Sequence, residues 1–295
     1  MIIDFVNYAI NGALLGLLYA LIAMGFVVIY RASKVFNFAQ GELVVLGGFL
    51  QWWMVVSIGL PMYVGIPLAF VLAGLVGLLI ERIFFARLVG ESVFAMVMVT
   101  IGLLVLLRGV VLLAFGPQVR PFPIVFALQP LVIGELMIPT NLLWGGVLTV
   151  LAATGMSWFF NRTRTGLTMT AVAEDHQVAL SMGISVKRSI AFAWVLGCLL
   201  STLGAVVYLS GKSLNFLASD IGFAALPVAL LAGLESIGGL LLAGVIVGLV
   251  QGLATAYLDP LVGGAVGSVL PFVIMLLILL VRPTGLFGWR TIERV

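Results

Sequence analysis

The sequence predicts an all-α integral membrane protein with about eight to nine transmembrane helices, some of them short or broken. Three observations carry that prediction. Of the 295 residues, 63% are hydrophobic and only 8% charged, where a soluble domain carries roughly 25% charged residues. The apolar residues fall in runs near the length of about 20 that crosses a hydrocarbon core as a helix, not in the short alternating segments of a barrel. Nearly all of the 14 Lys and Arg residues lie in the short connections between those runs. The whole chain, 1–295, reads as a single membrane domain without a large extramembrane part.

Taken in order, the apolar runs predict spans near 5–30, 41–58, 62–85, 94–115, 141–160, 189–210, 222–234, 238–257 and 265–281. The run at 222–234 is short for a full crossing, so 222–257 reads either as two crossings or as one that includes a re-entrant half-helix. Orientation follows from the basic residues in the connections. One face collects Arg31, Lys34, Arg82, Arg87, Arg162, Arg164, Lys187, Arg188, Arg282, Arg290 and Arg294, and the other has Arg120 and Lys212. This asymmetry predicts an outer N-terminus, a cytoplasmic C-terminus and an odd number of crossings. Arg108 lies inside a span and is expected to snorkel to the outer interface, with a role in the pathway as the alternative. The opening MIIDFVNYAI lacks a basic n-region and a small-residue cleavage site, and reads as the start of a retained helix.

Several function classes fit poorly. One cysteine, Cys198, and one histidine, His176, leave no internal disulfide and no cluster with metal-ligand spacing. Clustered acid–base or nucleophilic groups, which a membrane enzyme needs, are missing. Most of the 11 acids sit at span ends or in loops, whereas an ion-coupled secondary transporter usually sets unpaired acids inside its spans. Gly211-Lys212-Ser213 ends like a phosphate-binding loop, but the glycine that loop needs is replaced by Val206. The net charge of +3 comes from loop residues and is no nucleic-acid signature. Gly12 and Gly16, and Gly244, Gly248 and Gly252, have the GxxxG spacing of close helix packing.

Two polar breaks match each other. YRASKVFNFAQGEL begins at Tyr30 and YLSGKSLNFLASDI at Tyr208; an offset of 178 residues aligns Tyr30, Lys34, Asn37 and Phe38 with Tyr208, Lys212, Asn215 and Phe216, and Glu42 with Asp220. Each break ends a long span and leads into another apolar segment, and the predicted orientation puts them on opposite faces. That is the pattern of an inverted-topology repeat around a midplane site. The alternative is chance similarity between two polar breaks. The repeat predicts that the two breaks lie near a common pseudo-twofold axis.

The longest polar stretch, about 161–188, falls on the basic face. Gly166 and Gly183 bracket a run in which Met169, Val172, Ala173, His176, Ala179 and Leu180 recur at helical spacing. A single short helix over about 168–182 is expected there, too short and too acidic to cross the membrane. Its physics leaves two roles open, an interfacial anchor or a docking element for a cytoplasmic partner.

Four segments carry a resemblance. LYALIAMGFVVIYRASKVFNFAQGEL, AVAEDHQVALSMGISVKRSIAFAWVLGCLLSTLGAV, LLAGLESIGGLLLAGVIVG and LLVRPTGLFG occur in the order found in the branched-chain amino acid type of ABC transporter permeases, and the chain resembles the H-type of the two permease subunits that pair. The resemblance implies a heterodimer with a second permease subunit, two cytoplasmic ATP-binding subunits that hold ATP-Mg, and a periplasmic or extracellular solute-binding protein. It implies no cofactor in this chain, a place in the bacterial inner membrane among lipid, and no nucleic-acid partner. The family's coupling segment carries an alanine, an acid and a glycine that map onto Ala173, Asp175 and Gly183, with Glu174 and Gly166 in the same segment. One departure stands out: family members often read Gly-Ser-Ile-Pro-Gly where this chain has Glu235-Ser236-Ile237-Gly238-Gly239.

The resulting expectation is ATP-driven import of branched-chain amino acids or similar small polar solutes. Asn37, Gln40 and Asn215 are the candidates for lining or gating the path, with Glu42 and Asp220 fixing the geometry of the breaks. For each, capping a helix end is the competing role. Urea or short amides are the alternative solutes within the family, and an ion-coupled amino acid transporter is the alternative class.

Overall fold

A computed structural model of the chain describes residues 2–88, 90–174 and 176–288. Helix α1, Ile2–Ser33, has 32 residues. At about 48 Å it exceeds the hydrocarbon thickness. Non-helical chain then leads to α2, Gln40–Trp52, which continues in a five-residue π-helix, Trp53–Ser57. Pro61, extended at φ −57° and ψ 144°, starts α3, Met62–Ile83. The Ser92 hydroxyl accepts a hydrogen bond from Ala95 N and so caps α4, Val93–Phe115, which Gly116 ends at φ 76°.

A small β region follows: β1, Arg120–Pro121, then the hairpin of β2, Leu131–Ile133, and β3, Leu136–Ile138. Helix α5, Thr140–Arg162, leads into α6, Arg164–Glu174, and α7, His176–Ser181. Helix α8 is Val186–Leu209, and β4, Ser213–Leu214, pairs antiparallel with β1. A 3-10 turn over Phe216–Ser219 opens a stack of α9, Asp220–Ala224, and α10, Leu226–Ala232. The chain finishes with α11, Ile237–Tyr257, the one-turn α12, Asp259–Val262, and α13, Val266–Val281.

Among the described residues, six helices are long and apolar enough to cross a membrane, and Phe216–Ala232 and Val266–Val281 are shorter apolar helical stretches. With α2 and its π turn, the described residues supply the spans expected from the sequence. Their alternation puts Arg31, Lys34, Arg82, Arg87, Arg162, Arg164, Lys187, Arg188 and Arg282 at one end of the bundle, and Arg120 and Lys212 at the other. Arg290 and Arg294 lie outside the described residues. The segment at 161–188 differs from expectation. Helical residues begin at Arg164, ahead of the expected start near 168, and the described residues on both sides of 175 are helical, Arg164–Glu174 and His176–Ser181. Gly166 thus lies inside α6 and does not bracket it, and a Cβ there would strike the Phe159–Phe160 backbone of α5.

Helices α1 and α8 form the centre. Leu18 to Ile29 of α1 are buried on every side, which an all-round apolar helix requires. Helix α11 lies along α1, and α3 along α8. The glycines set these approaches. A Cβ on Gly244 would sit 2.5 Å from Gly16 O, and one on Gly77 would sit 2.7 Å from Trp194 O. Gly12, Gly16, Gly244, Gly248 and Gly252 thus form a backbone-to-backbone seam, the packing that replaces the hydrophobic effect between helices in lipid. Gly248→Val, which forces a branched side chain into that seam, is expected to cost about 1–3 kcal/mol or more. A lower melting temperature of the purified protein in detergent, with Gly238→Val at an open position as control, checks it.

Candidate translocation site

The first break begins where Lys34 turns the chain at φ 54°. The backbone then runs back into the bundle, with Val35, Asn37 and Ala39 buried, and α2 starts beside Ile22 of α1, about three turns before that helix ends. Non-helical backbone at such depth must find its hydrogen bonds within the protein. Asn37 supplies them locally: its Oδ1 accepts from Ala39 N at 3.1 Å and its carbonyl accepts from Gln40 N at 3.2 Å. Gln40 Nε2 donates to Ile22 O at 3.2 Å and to Ser201 Oγ at 2.9 Å, bridging α1 and α8. Gly25 leaves the space that the Gln40 side chain fills.

The second break repeats the device. Asn215 Oδ1 accepts from Ala218 N at 3.2 Å, and the Asn215 carbonyl accepts from the same N–H. The cation–π pairs also correspond at the same offset: Lys34 Nζ lies 5.6 Å from the Tyr30 ring and Lys212 Nζ 4.5 Å from the Tyr208 ring. Burial lowers the Lys212 ammonium below its ordinary value.

The two breaks meet. A Cβ on Gly222 would sit 2.6 Å from Gly41 Cα, and one on Gly41 would run into Ser219 O. The offset that aligns the breaks carries Gly41 onto Ser219, so this contact joins equivalent positions of the two breaks. The sequence expectation of breaks near a common axis agrees with this arrangement.

Arg108 departs from expectation. It does not snorkel outward: Nε and Nη2 both donate to Glu42 Oε1, at 2.9 and 2.5 Å, and Nη2 donates to Ser219 Oγ at 2.8 Å. Glu42 is 2% exposed, and a buried carboxylate needs a cation within reach. The sequence offered half a signal for this pair: Arg108 is interior to an apolar run and needs a partner away from water, while Glu42 stands at the start of its run. Ser201, Ser219 and Gly25 had no such signal.

The five predicted path residues therefore divide. Asn37 and Gln40 are buried between α1, α2 and α8. Glu42 borders a cleft with Phe26, Phe38, Ser219, Phe223 and Leu226. Asn215 is half-buried at the break. Asp220 is exposed at the start of α9, at a second cleft with Gln251, Ser268 and Phe272, and does not mirror the buried Glu42.

At the basic end, Lys34 Nζ bonds Glu235 Oε1 at 2.5 Å and lies 3.8 Å from Glu174 Oε1 of α6. Burial alone would lower the Lys34 ammonium, but the Glu235 hydrogen bond and the charges of Glu235 and Glu174 outweigh it and raise it above its ordinary value. Glu235, the departure from the family turn, thus joins the first break to the α10–α11 connection. That connection keeps its form without proline: Gly233 ends α10 at φ 85°, and Ser236 Oγ accepts from Gly239 N at 3.0 Å to start α11. Arg31 reaches Thr170 Oγ1 of α6 at 3.4 Å and stacks 4.2 Å from the Phe160 ring centre. Ala173 is buried, and Gly183 turns the chain at φ 78° before α8. Asp175 lies outside the described residues.

Two polar breaks whose following helices meet inside a bundle of membrane-length helices form a pattern found in membrane transporters. The family model described as "Branched-chain amino acid transport system / permease component" matches residues 8–279, and the chain belongs to that family. It is 29% identical over 315 residues to the high-affinity branched-chain amino acid transport system permease protein LivH of Escherichia coli K12, covering 99% of this chain and 98% of that protein. It is 29% identical over 313 residues to BraD of Pseudomonas aeruginosa, with the same description, covering 100% and 99%. The probable branched-chain amino acid transport permease protein LivH of Methanocaldococcus jannaschii is 25% identical over 296 residues, covering 94% and 91%. The chain is accordingly a multi-pass inner-membrane permease subunit of an ABC transporter.

Gln40→Ala removes the link between α1 and α8 and opens a space beside Gly25. A loss of about 2–4 kcal/mol is expected, read as a lower midpoint of denaturant unfolding in detergent.

Proposed function

We propose that this chain forms one half of the membrane path of an ATP-driven importer of branched-chain amino acids. A second permease subunit of the same family supplies the other half, two cytoplasmic subunits bind and hydrolyse ATP-Mg, and a soluble binding protein delivers the solute on the outer side. The carrying observation is the meeting of the two breaks at Gly41, Ser219 and Gly222. A junction of two helix starts deep in the bundle is where polar groups for a small solute can be offered without water. The substrate in the names of the full-length relatives supports amino acids as the cargo.

The N-terminus lies outside and the C-terminus inside, since the end rich in Lys and Arg faces the cytoplasm. Helices α6 and α7 then lie on the inner side as the docking element for the ATPases, with Gly166, Ala173, Glu174, Asp175 and Gly183 as the coupling residues. Arg31 and Lys34 join that element to the first break through Thr170 and Glu174. Movement of α6 is thereby passed to the end of α1 and to the break itself.

Co-expression with a second permease, ATPases and binding protein, followed by reconstitution in vesicles, tests the reading. ATP-dependent uptake of leucine, isoleucine or valine is expected. Uptake of urea or short amides alone would replace the cargo, and uptake driven by an ion gradient without ATP would sink the class. Gly183→Val, strained at its positive φ, is expected to abolish uptake while leaving the permease in the membrane. Orientation has its own check: Lys212→Cys should react with an impermeant maleimide in intact cells, and Lys187→Cys only after lysis.

A further inference from the structure

The Arg108–Glu42 pair is built unlike a purely structural one. Both of its shortest contacts go to Oε1 of Glu42, while Oε2, buried with the rest of the side chain, accepts no hydrogen bond among the described residues. The Arg108 side chain is 44% exposed. On a helix whose outer positions include Val105, Val110 and Leu113, such exposure would leave part of a guanidinium in hydrocarbon, an expensive position for a charge. The cost is lifted if that face lines a watered path between subunits.

The cleft beside Glu42, whose two polar side chains Arg108 bonds from outside its lining, has the complementary character. Glu42 forms its polar edge together with Ser219, while Phe26, Phe38, Phe223 and Leu226 form an apolar wall. In this conformation the cleft is too narrow for more than water, as expected of a station that opens and closes during transport. A carboxylate oxygen without a donor, a guanidinium engaged through Nε and Nη2 but not Nη1, and an apolar wall match three parts of one molecule: an ammonium, a carboxylate and an aliphatic side chain.

We propose that Arg108, Glu42 and Ser219 form a contact station for zwitterionic amino acids within the membrane. Arg108 takes the solute carboxylate, Glu42 Oε2 takes the ammonium, and the phenylalanine wall takes the aliphatic side chain. The inference rests on the importer reading above. Specificity is then exercised twice, once in the delivering protein and again in the path.

The test uses the reconstituted complex and reads leucine moved per ATP hydrolysed. Two variants are compared with wild type: Arg108→Lys, which keeps the charge and loses the fork, and the double neutral Glu42→Gln/Arg108→Gln, which removes both charges together. Both are expected to assemble and to hydrolyse ATP in response to loaded binding protein. Leucine moved per ATP is expected to fall at least about tenfold in the double variant, the loss of charge-assisted hydrogen bonds, and by less in Arg108→Lys. Wild-type transport per ATP in the double variant overturns the proposal. So does failure of both variants to assemble, which would make the pair a support of the fold. Should the double variant alone fail to assemble, Arg108→Lys decides by whether its transport per ATP falls. A wild-type complex that moves no amino acid at all is a different result and refutes the importer reading instead.

Discussion

Non-helical backbone inside a bilayer is tolerated only where protein covers it, and this fold is arranged around two such segments. Each break exposes peptide groups well below the level at which α1 and α8 end. Asn37 and Asn215 satisfy part of the debt locally, and the remainder requires that the breaks be enclosed. Enclosure comes from each other. Gly41 and Gly222 have no side chain at the contact, so the two turns touch through backbone. The long central helices, the glycine seam between α1 and α11 and the matching approach of α3 to α8 at Gly77 hold the two halves close enough for that contact to exist.

The halves correspond without being equal. Asparagine turns and lysine–tyrosine pairs repeat at the same offset, yet Glu42 is sealed in with Arg108 while Asp220 stands exposed at the start of α9. Helix α4 explains the difference. It runs past both breaks, with Thr100 Oγ1 bonded to Phe36 O at 3.2 Å and Arg108 bonded to Ser219 Oγ at 2.8 Å. No basic residue occurs in its counterpart α13, Val266–Val281. Polarity where the breaks meet is therefore one-sided.

Much of this could be read from the chain. Spans, loop charges and the paired breaks follow from hydropathy period and spacing, because the bilayer imposes the same constraint at every residue. Residue-level roles were less legible. Arg108 resembles a snorkelling residue when its span is considered alone; only the fold brings Glu42, 66 positions away, against it. Gly166 suits a helix boundary when the 161–188 segment is read alone, yet it lies inside α6, where it is spent on contact with α5. The hairpin β2–β3 was signalled by Gly134-Glu135 between two short apolar triplets, a pattern obscured in a chain where almost every residue is apolar. Glu235 has a partner in Lys34 that lies 201 positions earlier, beyond any local pattern.

The separation of the two breaks also sets an order in time. A ribosome makes Gly41 long before Ser219, 219 − 41 = 178 residues later. At about 5–20 residues per second, that interval is roughly 10–35 s. Thr100 and Arg108 arrive within 66 residues of Glu42 to satisfy Phe36 O and Glu42, but the backbone at Gly41 lacks its partner until the second break is inserted. For that time the nascent half must be sheltered by the insertion machinery or kept from the bilayer. Biogenesis, as much as transport, then depends on how the first break is held until its counterpart reaches it.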